Sequence, residues 1–198
     1  MNILSFIKLV IVGAVIGLAA KMLFFEAFTV PTESMEPTIL RGDVIWVNKV
    51  FFTGFYKNDI VAFERNNENF VKRIVGIPTD SVYYDKGYYQ INLPDISLYD
   101  KSYITYKIPE KGETIIFDKN NFAFYQPLIE QNEGVQAGRL MDKIFINNTE
   151  SNSYTFKKNY YFVQGDNSTE SSDSRHWGLI SESQLIGKAA FTYHSNKK

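Results

Sequence analysis

ENFVKRIVGIP, Glu68 to Pro78, is the stretch from which the fold is read. Phe70, Val71, Ile74, Val75 and Ile77 are aromatic or β-branched, and Gly76 and Pro78 close the run, so a strand is predicted. Working outward, DVIWVNKV from Asp43 and DIVAF from Asp59 have the same character, as do NYYFVQGDN from Asn159 and LIGKAAFTY from Leu185. ENFVKRIVGIP, DVIWVNKV and DIVAF are each bounded by Gly, Asn, Asp or Pro, the residues that punctuate strands. In SVYYDKGYYQIN, from Ser81, Asp85-Lys86-Gly87 lies between two tyrosine-rich runs, which predicts a hairpin. Between Leu93 and Tyr160 the strand candidates are short, ETIIF and DKIFIN, set among Asn, Glu and Lys. No long helical periodicity follows Pro31. With 13 tyrosines and 16 phenylalanines to fill a core, the expected fold class is mainly β, a closed or coiled antiparallel sheet of barrel-like form.

The chain has 198 residues, enough for one domain with a modest insertion and not for two independent enzymes. Lysine plus arginine total 21 against 22 acidic residues, a balance that gives no electrostatic reason to expect nucleic acid as partner. There is no cysteine, which removes disulfides, thiol catalysis and thiolate metal sites from consideration. The two histidines, His176 and His194, show no HExxH-type spacing, so neither a metal nor another cofactor is expected.

The N-terminal segment reads differently. LVIVGAVIGLAA lies between Lys8 and Lys21, preceded by NILSFI and followed by MLFFEAF. Crossing a bilayer takes about 20 residues, reached here if one lysine lies near the boundary with its ammonium among the headgroups. One transmembrane helix is therefore expected, within an anchor and juxtamembrane segment at 1–28. A cleaved signal peptide is the competing reading, since a basic start, a short apolar core and Ala19-Ala20 suit one.

Amide hydrolysis without a metal or a thiol requires a hydroxyl nucleophile, a base and donors for the developing oxyanion. His176 or His194 with Asp173 would make one kind of triad. A lysine is the other base, provided burial or nearby positive charge lowers its pKa from about 10.4. Lys72 lies inside the strand-like run, where alternation lets one side chain face the interior. PTESMEPT, Pro31 to Thr38, reads by composition alone as a linker, and GDNSTESSDSRHWG, Gly165 to Gly178, as a turn rich in side-chain to backbone bonds.

Taken in order, four blocks resemble the type I signal peptidases, membrane-anchored proteases that remove signal peptides. They are PTESMEPTI, RGDVIWVNK, VKRIVGIPTD and GDNSTESSDSRHWG, following an apolar segment. The resemblance implies Ser34 as nucleophile and Lys72 as general base. It places the Thr32 hydroxyl with the Ser34 N–H in the oxyanion hole, and Ser171 where a serine orients the lysine amine. Asp173 and Arg175 match the supporting acid and base of the last block, and Asp166 and Asn167 the turn before them. Ser168, Thr169 and Thr79 depart from the residues common at their positions, and Thr32 is a serine in many relatives. The resemblance further implies a catalytic β domain at 29–80 and 156–198, with a variable inserted β region at 81–155. It implies preprotein signal peptides and membrane lipid as partners, cleavage after small residues at −1 and −3, and a single-pass place in the bacterial cytoplasmic membrane with the catalytic domain outside. The alternatives are a catalytically inactive relative that binds preproteins or the secretion machinery, and a specialised processing peptidase of a conjugation or secretion system.

Overall fold

A computed structural model describes residues 2–50, 54–91 and 104–194. The stretch 92–103 of the expected inserted β region lies outside the described residues. In chain order the elements are α1 (Ile3–Phe24), β1 (Phe25–Thr29), β2 (Val44–Asn48), β3 (Ile60–Arg65), β4 (Glu68–Gly76), β5 (Ser81–Asp85), β6 (Tyr88–Ile91), β7 (Thr105–Lys107), β8 (Thr114–Ile116), α2 (Phe122–Pro127), β9 (Ala137–Leu140), β10 (Lys143–Ile146), β11 (Thr149–Glu150), β12 (Ser153–Thr155), β13 (Tyr160–Gln164), α3 (Ser174–Trp177), β14 (Ile180–Ser181) and β15 (Leu185–Tyr193). The strands predicted from sequence correspond to β2, β3, β4, β8, β10, β13 and β15.

The main sheet has seven strands in the order β1-β2-β15-β3-β4-β13-β14, all paired antiparallel. Among the described residues β1 and β14 end the ladder, so the sheet is open. Irregular register at Leu185/Gly187 and Ala189/Phe191 in β15 and at Phe162/Val163 in β13 bends it. The coiled alternative, and not closure, is therefore what the ladder forms. β3 returns as β4 through Asn66 and Asn67, both at positive φ, the backbone that a two-residue hairpin demands. The Lys86-Gly87 turn, again at positive φ, joins β5 and β6 as the tyrosine-rich runs predicted.

Three apolar clusters form the interior. Val30, Met35, Ile39, Ile45, Val47 and Ala62 lie under the segment that follows β1. Val61, Phe63, Ile74, Tyr161 and Val163 fill the middle of the sheet. A third cluster joins Tyr160 and Phe162 of β13 to Val82, Tyr106, Phe124, Tyr125 and Phe156. Smaller sheets, β6-β5-β7, β12-β8 and β11-β10-β9, complete this region.

Of the elements not read from sequence, the helix α2 is the clearest case. α2 and the helical turn that continues it, Leu128–Asn132, bury Phe122, Phe124, Tyr125, Leu128 and Ile129. Pro127 and the flanking asparagines hide it from propensity, and tertiary burial makes it a helix. None of the three clusters includes a described side chain of α1, whose Phe6, Leu9, Val10, Ile11 and Val15 are exposed. Among the described residues no helix is long and apolar enough to cross a membrane; side chains at 4, 16 and 18–23 of α1 are outside that set.

Candidate active site

β4 supplies the lysine. Alternation along a strand puts residues 72, 74 and 76 on one face, and Lys72, Ile74 and Gly76 are the buried members of its C-terminal half. The lysine is 4% exposed. The serine comes from the turn after β1, held down on both sides: Val30 before it and Met35 and Ile39 after it are buried in one cluster. Ser34 is itself buried, and Lys72 Nζ donates to Ser34 Oγ at 2.6 Å. Thr32 Oγ1 lies 3.1 Å from the same oxygen.

Burial is the main force on the amine. It lowers Lys72 to about 8, against smaller upward pulls from Asp173 and Asp166. Of the two routes to a neutral lysine open in the sequence, desolvation is the operative one; the neighbouring Arg73 instead pairs elsewhere. Its Nε and one terminal nitrogen grip Asp166 at 2.8 and 2.6 Å. Asp166 is thereby held below its usual range: burial pushes its pKa up, but hydrogen bonds from Arg73 and Thr38 outweigh that. The carboxylate partner of Arg73 is 93 positions away in the chain, so nothing local in the sequence marks the pair.

The Gly165–Gly178 loop closes over the serine. Asn167 N–H donates to the Ser34 carbonyl at 3.0 Å, and its side-chain amide donates to the Glu33 carbonyl at 3.2 Å. Gly165 is packed so tightly that an added Cβ would stand 2.3 Å from Ser171 Oγ and 2.4 Å from the Ser34 carbonyl oxygen. Only a residue without Cβ lets the loop approach this closely.

Asp173 organises the rest of the loop. It is fully buried, accepts from Ser171 Oγ at 2.7 Å and from Gly165 N–H at 3.0 Å, and takes a two-pronged grip from Arg175 at 2.8 and 2.9 Å. Burial alone would raise its pKa, but Arg175, the Gly165 N–H and Ser171 together hold it below the carboxylate range. Asp173 also caps α3, accepting from the Arg175 N–H. Ser171 thus gives its proton to Asp173, which leaves its oxygen lone pairs as acceptors.

Both histidines are committed elsewhere. His176 Nδ1 accepts from the Asp173 N–H at 3.3 Å, and its ring stands edge-on to Tyr88. His194 Nδ1 contacts Asp43 at 2.8 Å. Neither contacts Ser34, whose hydroxyl partners are Thr32 and Lys72, so a histidine triad has no geometric support. Among the described residues no cluster of His, Asp and Glu could hold a metal ion.

A groove of about 410 Å³ opens beside the serine, walled by Phe28, Val30 and Pro31 on one side and Phe70, Val71 and Lys72 on the other. β4 pairs with β3 from Glu68 to Arg73, but with β13 only from Arg73 onward. Its other edge is therefore unpaired by any described strand between Glu68 and Lys72, along this groove.

A serine hydroxyl against a buried, partly neutralised lysine, at the end of an apolar groove with an open strand edge, defines a serine hydrolase with a lysine base. Residues 3–194 match the family described as signal peptidase, peptidase S26. A signal peptidase I of Buchnera aphidicola (subsp. Schizaphis graminum, strain Sg) is 30% identical, over 88% of this chain and 69% of that one. A signal peptidase IB of Staphylococcus aureus (strain COL) is 30% identical over 97% and 90%. A crystal structure of a signal peptidase I from Enterococcus faecalis V583 superposes with a TM-score of 0.32 at 22% identity, covering 70% of this chain and 98% of that one. The chain belongs to the signal peptidase family, peptidase S26, and is a serine endopeptidase.

Proposed function

We propose that the protein acts as a signal peptidase I, with Ser34 as nucleophile and Lys72 as general base, cutting exported preproteins after small residues at −1 and −3. The observation that carries this reading is the 2.6 Å contact between two buried groups, Lys72 Nζ and Ser34 Oγ. Neutral Lys72 takes the hydroxyl proton as Ser34 Oγ adds to the scissile carbonyl, and the resulting ammonium gives that proton to the departing amine. The acyl-enzyme is then opened by water. The oxyanion is bonded to the same carbon as Ser34 Oγ, so the Thr32 hydroxyl, 3.1 Å from that oxygen, is within reach of it, together with the Ser34 N–H.

The open edge of β4 suits a substrate laid down as an extra strand. Side chains facing the groove walls of Phe28, Val30 and Phe70 would meet limited apolar space, which favours small residues. Ser171, Asp166, Asn167, Asp173 and Arg175 are positioning residues in this scheme, acting through Lys72 and the Ser34 backbone.

α1 is the anchor in the same reading. Its 22 residues rise about 33 Å, close to the hydrocarbon thickness of about 30 Å, and it leads directly into β1, only a few residues before Ser34. Tethering at a bacterial cytoplasmic membrane, with the domain comprising 29–80 and 156–198 outside, would raise the effective concentration of substrates emerging from lipid. Residues 81–155 would be the family-variable insertion.

The test is cleavage of an Ala-x-Ala preprotein in detergent. Ser34→Ala and Lys72→Ala should each lower turnover by about ten-thousand-fold or more with circular dichroism unchanged. Retained turnover in either would defeat the dyad, whereas a wild type that is itself silent would favour the inactive-relative reading.

A further inference from the structure

A second cavity, also about 410 Å³, is lined in part by the Gly165–Gly178 loop and shares no residue with the apolar groove. Its walls are Tyr88 and Gln90 of the β5–β6 hairpin, Gln164 at the end of β13, and Ser168, Thr169 and Ser171 of the loop. We infer that this polar cavity receives the first residues on the mature side of the scissile bond, an inference that rests on the peptidase reading above.

Continuity with the site is geometric. Ser171 Oγ and the Ser34 carbonyl both lie within 2.4 Å of the point where a Gly165 Cβ would stand, so the cavity wall and the serine backbone are neighbours. A peptide paired along Glu68–Lys72 cannot continue on β4, because β13 takes that edge from Arg73, opposite Gln164. Past the serine it must leave the sheet, and Gln164 is itself a wall of the second cavity. Among the described residues the strand in its way is β13, which ends at Gln164.

Chemistry assigns the two halves. The apolar groove fits the small-residue half, which stays bonded to Ser34 until water arrives. The second cavity offers carboxamides and hydroxyls from Gln90, Gln164, Tyr88, Ser168 and Thr169, which can hydrogen-bond a polar peptide and release it to solvent. The hairpin is fixed for this purpose by the ring of Tyr88, edge-on to His176 of α3 at 5.2 Å between centroids.

The test compares two peptides with identical signal-side residues on the full-length protein in detergent. One carries several polar mature-side residues and the other a single amidated one. Gln90→Ala should lower kcat/KM for the longer peptide by about threefold to tenfold, chiefly through KM, and leave the shorter one unchanged. Tyr88→Phe, which keeps the ring against His176 and removes the hydroxyl, should show the same selectivity. Equal losses on both peptides, or no loss on either, would overturn the subsite. Failure of the wild-type protein to cut either peptide would overturn the peptidase reading itself.

Discussion

At the residue scale, the site depends on one lysine being unable to keep its proton. Burial holds Lys72 at about 8, well below the 10.5 of a free side chain. Since the base must be neutral, kcat/KM should rise with pH up to about 8 and fall about tenfold per pH unit below it. Asp166 is one of the two anions that raise this pKa. Asp166→Asn should therefore move the acidic limb to lower pH, the more so because Arg73 is left as an unpaired cation; the pH profile of the variant reads this directly. A shift to higher pH would contradict the assignment. Gly165 makes a second residue-scale case. A methyl there would press on the Ser34 carbonyl oxygen, so Gly165→Ala should cost about a hundredfold in kcat, measured by single-turnover cleavage.

At the scale of elements, the loop between β13 and β14 is a support held by one carboxylate. Asp173 binds Arg175, Ser171 and the Gly165 N–H at once and caps α3. Removing it leaves Arg175 without its carboxylate, and Asp173→Ala should destabilise the protein by about 3 to 5 kcal/mol, measured by denaturant unfolding. The folded-state pKa of Asp173 is depressed, so its stabilising contribution is present above the ordinary carboxylate range and is lost as pH falls through and below it. Acid unfolding of the wild type should accordingly begin below about pH 4, and Asp173→Asn should weaken that dependence, leaving the part due to Asp166. The loop and β4 make the site together: one brings Asn167 to the Ser34 backbone, the other brings Lys72 to its hydroxyl.

For the whole molecule, the division is between a folded β body and a helix whose described side chains lie outside its core. Because no described side chain of α1 belongs to the apolar clusters, a chain lacking residues 2–24 should keep its thermal midpoint and its peptide cleavage, and lose co-sedimentation with phospholipid vesicles. A collapse of the midpoint would show that α1 supports the body. The sequence by itself determined the strands β2, β3, β4, β13 and β15 and the β5–β6 hairpin, because β-branched and aromatic runs bounded by turn residues encode them locally. It also marked Ser34, Lys72 and the 165–178 loop as blocks, though PTESMEPT taken alone remained a linker. Helix α2 escaped it, since Pro127 and neighbouring asparagines oppose the helix locally and only the burial of Phe124, Tyr125 and Ile129 stabilises it. So did the Arg73–Asp166 pair and the close approach of Gly165 to Ser34. Those contacts join residues far apart in the chain, and only tertiary packing, which buries Lys72 and brings it 2.6 Å from Ser34, turns an ordinary strand lysine into a base.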